Sequence, residues 1–192
     1  MHPGRLRPKL AAVMTAVGYA LFDTAIGWCA LGWAGAGITR VSLPEASPAA
    51  TGRRIADRLN GAGERQPPAS AREVIQRITA LFDGSGDDLA DVELDLSGVG
   101  GFHRSVYEVT RGIRPGTTLS YGAIAGELKL PGAARAVGRA LGHNPCPIIV
   151  PCHRVLAADG SMHGFSANGG VATKRRMLQL EGALPADEPT LF

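Results

Sequence analysis

Cysteine is sparse in this chain: Cys29, Cys146 and Cys152 are the only three in 192 residues. An odd number without framework spacing excludes a disulfide-stapled scaffold and points to free thiols in a reducing compartment. There is no Cys-x-x-Cys pair and no His-x-x-x-His set, so no metal site is expected, zinc included. A membrane span is missing too. Leu10–Phe22 follows Arg5, Arg7 and Lys9 and has roughly the length of a signal-peptide core. Thr15, Gly18 and Tyr19 interrupt it, no small-x-small cleavage site follows, and Asp23 ends it too soon to cross a bilayer. A cytoplasmic protein is the expectation.

What the chain does have is turn residues and unevenly placed charge. The 26 glycines and 13 prolines imply many turns in a globular chain of one domain or two small ones. Residues 1–102 carry ten Lys/Arg against eleven Asp/Glu, whereas residues 103–180 carry ten against three, a balance of +7. A basic half beside a neutral one fits either a solvated surface or a surface that meets a polyanion.

Short apolar runs separated by glycine turns, Ala16–Phe22, Trp28–Trp33 and Ile38–Leu43, predict a small antiparallel meander. Two helices follow, one capped by Thr51, carrying Ile55 and Leu59 and closed by Gly61, the other opened by a Ser70/Glu73 capping box ahead of Val74, Ile78, Leu81 and Phe82. The acidic connector "DGSGDDLADVE" leads into the second half, with a domain boundary expected near residue 96: residues 1–96, then 97–192. There Phe102–Arg111 reads as a helix, Ser120 caps a helix with Ile124, Ala125 and Leu128 on one face, and Pro131-Gly132 separates it from another. The latter holds Ala133, Ala136, Val137, Ala140 and Leu141 at core spacing. Two helices joined by a tight glycine-containing turn over about 120–143 form a helix-turn-helix pattern.

The opposite face of that second helix carries Arg135, Gly138, Arg139 and Gly142. A glycine inside a helix costs about 1 kcal/mol relative to alanine. Either the face packs closely on another helix, or it must approach something closely while presenting arginines, as a nucleic-acid backbone requires.

The stretch "NPCPIIVPCHRVLAADG" concentrates the chemistry. Ile148–Val150 reads as a short buried strand stopped by Pro151, from which Cys152, His153 and Arg154 emerge together. Cys29 and Cys146 read as small buried hydrophobes. A thiol beside cationic groups loses its proton more easily, which makes Cys152 a candidate nucleophile. His153 reaches the thiol directly only if the chain turns there, and otherwise through a water. Glu181 closes the helix "TKRRMLQLEG" ahead of Gly182, where a carboxylate opposes the helix dipole. It is either solvated there or returned to hold His153, giving a chain from nucleophile to base to orienting group.

Together "SYGAIA", "ARAVGRALGHNP", "IIVPCHRV" and "KRRMLQLEG" resemble the O6-alkylguanine-DNA alkyltransferases, closely over roughly Leu94–Gly182. The resemblance implies an α/β (α+β) fold, with a small ribonuclease-H-like N-terminal sheet domain and a mostly helical C-terminal domain bearing the helix-turn-helix and the active-site cysteine. It implies stoichiometric transfer of the alkyl group from O6-alkylguanine, and O4-alkylthymine, in DNA to Cys152. His153 and Glu181, with a water, would draw off the thiol proton. Tyr121 would protonate the leaving guanine, and Asn144 would hinge the helix to the active-site segment. DNA would be met by Ser120, Tyr121, Arg135, Ala136, Gly138 and Arg139 in the minor groove, with Arg135 filling the space of a flipped-out base. Pro151, Val155, Phe165 and Ser166 would form the substrate pocket, Phe165 standing where the family usually has tyrosine, in a longer loop. No cofactor is implied, and a monomer is expected. The other readings are a non-enzymatic sensor of alkylated bases, whose members lack the acceptor cysteine, and a cysteine hydrolase.

Overall fold

The computed structural model describes residues 17–35 and 37–186. Arg5, Arg7, Lys9 and most of the signal-like run lie outside those residues. The end of that run, Gly18–Phe22, is strand β1. It pairs antiparallel with β2 (Cys29–Ala34), and β2 with β3 (Gly37–Ser42), in the order β1-β2-β3. The expected meander is present. Alternation along the strands sends Tyr19 and Ala30 to one face and Cys29, Leu31 and Trp33 to the other.

Helix α1 (Pro48–Arg58) covers the first face through Ile55 and Leu59. A side chain at Gly32 would come within 2.6 Å of Leu59, so glycine there lets the helix end lie against the sheet. Its cap is Ser47, whose hydroxyl accepts from the Ala50 N–H, with Pro48 at the first helical position. Thr51, expected as the cap, lies inside the helix and accepts instead from the Glu45 N–H. Helix α2 (Ala69–Ala80) starts after Pro68 without a side-chain cap, and the expected Ser70/Glu73 box does not form. The acidic connector is pinned at both flanks: Arg77 pairs with Asp87 and Asp91, and Arg111 donates to the Ala90 and Val92 carbonyls.

The second half holds α3 (Gly101–Arg111), α4 (Tyr121–Glu127), α5 (Ala134–Gly142) and α6 (Val171–Leu180). A parallel pair, β4 (Leu119–Ser120) with β5 (Val155–Leu156), lies among them. Ser120 caps α4, accepting from the Ala123 N–H at 3.0 Å. α5 buries Val137, Ala140 and Leu141, and Tyr107 on α3 donates to the Ala140 carbonyl. The fold is mixed α/β. One apolar cluster runs from Leu31 and Val41 through Val106 and Val137 to Ile149 and Met177, so residues from both sides of position 96 share it. The free edge of β3 meets the second half directly, as the Val41 N–H donates to the Pro145 carbonyl at 2.9 Å. That bond sets the sheet against the segment carrying Cys152.

Candidate active site

The segment after α5 is not the strand its apolar residues suggested. Ile148 lies at φ +78°, and the Val150 N–H folds back to the Cys146 carbonyl at 2.8 Å. Buried apolar residues in a row specify burial, not extension. Left-handed backbone at a β-branched residue costs on the order of 1–3 kcal/mol and persists only where its surroundings hold it. Asn144 does so, accepting from the Cys146 N–H at 2.9 Å and donating to the Val150 carbonyl at 2.8 Å.

Cys152–Arg154 then form a single 3-10 turn, so the chain does turn at the thiol, but without bonding the thiol to His153 Nδ1, which has no partner among the described residues. The His153 and Arg154 side chains are fully buried, as is that of Glu181 at the end of α6. His153 Nε2 stands 2.9 Å from Glu181 Oε1; Arg154 donates to the same carboxylate through Nε at 2.7 Å and Nη2 at 2.9 Å, and to the Ile113 carbonyl through Nη1. Gly182, at φ +75°, ends the helix so that Glu181 turns inward. Of the two readings of Glu181, the one holding His153 is the arrangement found.

Burial alone would raise the Glu181 carboxyl; the hydrogen bonds from His153 and Arg154 overturn this and hold it at about 2. An ionised carboxylate only accepts, so His153 Nε2 carries the proton and Nδ1 carries the lone pair. Burial lowers the His153 pKa, against the Glu181 bond that raises it, so the imidazole is neutral near pH 7. Nδ1 is buried and has no hydrogen-bond partner among the described residues. Burial pushes the Cys152 thiol up, with the Asn144 side chain and the Lys174 charge pulling the other way. The lowering that the cationic neighbours in the sequence suggested does not prevail, and the thiol rests protonated. Desolvation outweighs it, and the thiol requires a base.

Cys152 opens into a cavity of about 100 Å³ that Tyr121, Gly138, Gly142, Phe165, Ser166 and Lys174 help to line. Pro151 and Val155 are buried and stand outside that lining. Arg135 and Arg139 are exposed on α5, and Ala136 is half-buried. A side chain at Gly138 would only touch the Tyr121 ring at 3.7 Å, and one at Gly142 would meet nothing within 4 Å. Internal packing does not explain these glycines. Sequence reasoning missed Arg154 and Lys174 as site residues, and it missed Glu45, Arg54 and Arg58, which build the cavity's other wall. Arg154 had a signal in its place beside the thiol and imidazole; the N-terminal residues had none.

A buried thiol with a neutral imidazole held by a carboxylate defines a cysteine-nucleophile transferase or hydrolase site. The comparisons select within that class. The profile described as "6-O-methylguanine DNA methyltransferase, DNA binding domain" matches residues 101–183. The methylated-DNA–protein-cysteine methyltransferase of Mycobacterium tuberculosis is 44% identical over 125 residues, 65% of this chain and 73% of that protein. The one from Mycolicibacterium paratuberculosis is 38% identical over 155 residues, 79% of this chain and 92% of that protein. The crystal structure of Mycobacterium tuberculosis OGT in complex with DNA superposes with a TM-score of 0.70 at 37% identity, covering 87% of this chain and 94% of that one. The chain belongs to the methylated-DNA–protein-cysteine methyltransferase family. Among the described residues no helix is long and apolar enough to cross a membrane.

Proposed function

We propose that this protein repairs alkylated DNA directly, moving the alkyl group from guanine O6, or thymine O4, onto Cys152 once per molecule. The observation that carries this reading is the buried Cys152–His153–Glu181 constellation opening into a cavity beside α5. His153 Nδ1 receives the thiol proton through a water. The sulfur attacks the alkyl carbon, the bond to O6 breaks, and the electron pair leaves with guanine. Tyr121 lines the cavity, and burial, then the Cys152 charge, raises its phenol, which therefore stays protonated and can give its proton to the leaving base. The proton taken from the thiol balances the one given up. The product is a thioether, which water does not hydrolyse, so the protein is spent. A hydrolase would turn over, and a sensor would have no use for the thiol. Intact mass after mixing with methylated duplex DNA should rise by one methyl group per chain. Turnover beyond one equivalent would overturn the reading.

DNA is met by α4 and α5, the helix-turn-helix, with α5 in the minor groove. Ser120, Tyr121, Ala136 and Arg139 lie along the contact, and the room left at Gly138 and Gly142 admits the backbone. A stacked base offers its O6 to no cavity, so the nucleotide is extruded at a cost of a few kcal/mol, and Arg135 fills the gap. Arg135→Ala should therefore slow transfer from duplex DNA far more than transfer from the free alkylated base. Equal losses on the two substrates would remove Arg135 from that role.

A further inference from the structure

Lys174 is the second cation buried beside the thiol. Only 1% exposed on α6, it donates from Nζ to the Val155 carbonyl at 2.6 Å and stands 6.0 Å from the centres of the Tyr121 and Phe165 rings. Among the described residues it forms no ion pair. Desolvating an ammonium without a counter-charge is costly, and a carbonyl and two ring faces offset only part of it. The charged and titratable groups around it narrow the reason. Glu181 is taken up by His153 and Arg154, and on the far wall of the cavity Glu45 is paired with Arg54, with Arg58 beside them. Tyr121 is neutral until it gives its proton to the leaving base, whereas Cys152, lining the same cavity, turns negative before the attack begins.

We propose that Lys174 is the counter-ion of the Cys152 thiolate, held in place by the Val155 carbonyl and the two rings so that the attacking anion forms against a fixed positive charge. The inference rests on Cys152 being the acceptor. The coupling runs both ways: burial lowers the Lys174 ammonium while the Cys152 charge raises it, and burial raises the Cys152 thiol while the Lys174 charge lowers it. Lys174 differs in this from His153, which takes the proton but is itself neutral at rest. It also gives the site a field that is fixed before substrate arrives.

The test is the pH dependence of Cys152 carbamidomethylation by iodoacetamide, read by peptide mass, in the natural protein, Lys174→Met and Lys174→Gln. The glutamine removes the charge while offering a shorter, neutral donor on the side of the Val155 carbonyl, and the methionine removes both charge and donor. The midpoint should rise by about one unit in either variant that keeps the natural thermal transition, with alkyl transfer at pH 7 falling about tenfold. An unchanged midpoint overturns the proposal, whether or not the rate falls, because slower transfer without a shifted thiol marks a structural brace. Iodoacetamide does not depend on the DNA substrate. A raised midpoint in a protein that ignores alkylated DNA would therefore uphold Lys174 and end the repair reading.

Discussion

Cys152→Ala should abolish transfer from methylated DNA while leaving DNA binding in place, and Cys29→Ala and Cys146→Ala should leave transfer intact. The asymmetry follows from burial. Cys29 and Cys146 are both pushed up to about 12, chiefly by desolvation, so roughly one molecule in 10⁵ carries either thiolate at pH 7. Neither lines the cavity into which Cys152 opens. Cys152 is also raised, but His153 can take its proton and Lys174 lies within the same cavity. Intact mass and peptide mapping after exposure to methylated duplex read the result: one methyl on Cys152 of the natural chain and none on Cys152→Ala. Label on Cys146, or transfer by the alanine variant, would sink the assignment.

Glu181→Gln should be the most damaging substitution outside the thiol itself. It leaves Arg154 charged in a fully buried place without its counter-charge, a loss of about 3–5 kcal/mol for a buried pair cut on one side. It also frees His153 to take either tautomer, and general-base catalysis of this kind is worth about 10²–10⁴ in rate. His153→Ala should cost a similar factor, and the double variant little more than the worse single one, because the two act as a unit. A double variant that loses the product of both factors would separate them.

The same network fixes the acid response. Glu181 is held at about 2 against an ordinary 4.5, so its stabilisation is present above 4.5 and fades as pH falls toward 2. His153 is depressed below its ordinary 6.5, so below that pH the unfolded chain takes a proton that the folded one refuses, and stability falls further. Thermal melts of the natural protein should lose stability from about pH 6.5 downward. Glu181→Gln should flatten the part of that loss below 4.5.

The parts of this fold that periodicity governs were legible. Alternating apolar residues placed the meander, and the core stripe of α5 placed its buried face. Where two residues of the same type compete, pattern failed. Ser47 and Thr51 can both cap, and only Pro48, suited to the first helical position, favours Ser47. The run Ile148–Val150 announced burial but not the left-handed turn that Asn144 clamps. The site was legible as far as Cys152, His153 and Glu181, through a pattern of neighbours and a resemblance. Lys174 was not, because lysine is rarely buried and no sequence pattern marks the exception; Arg154 was signalled by its place beside the thiol and imidazole, but its burial, rare for arginine, was not. The thiol's upward shift was misjudged for the same reason: adjacent cations are visible in a sequence, and desolvation is not.

One guanidinium ties together segments far apart in the chain. Arg154 bonds the Ile113 carbonyl on one side and Glu181 on the other. On the proposed mechanism, the cysteine therefore leaves the ribosome during synthesis before Lys174 and Glu181, the residues proposed to activate it. Until residue 181 has emerged and α6 has docked, His153 has no carboxylate to fix its tautomer and Arg154 no charge to meet. A half-made chain can present the thiol without spending it, and reactivity arrives as a late event of folding.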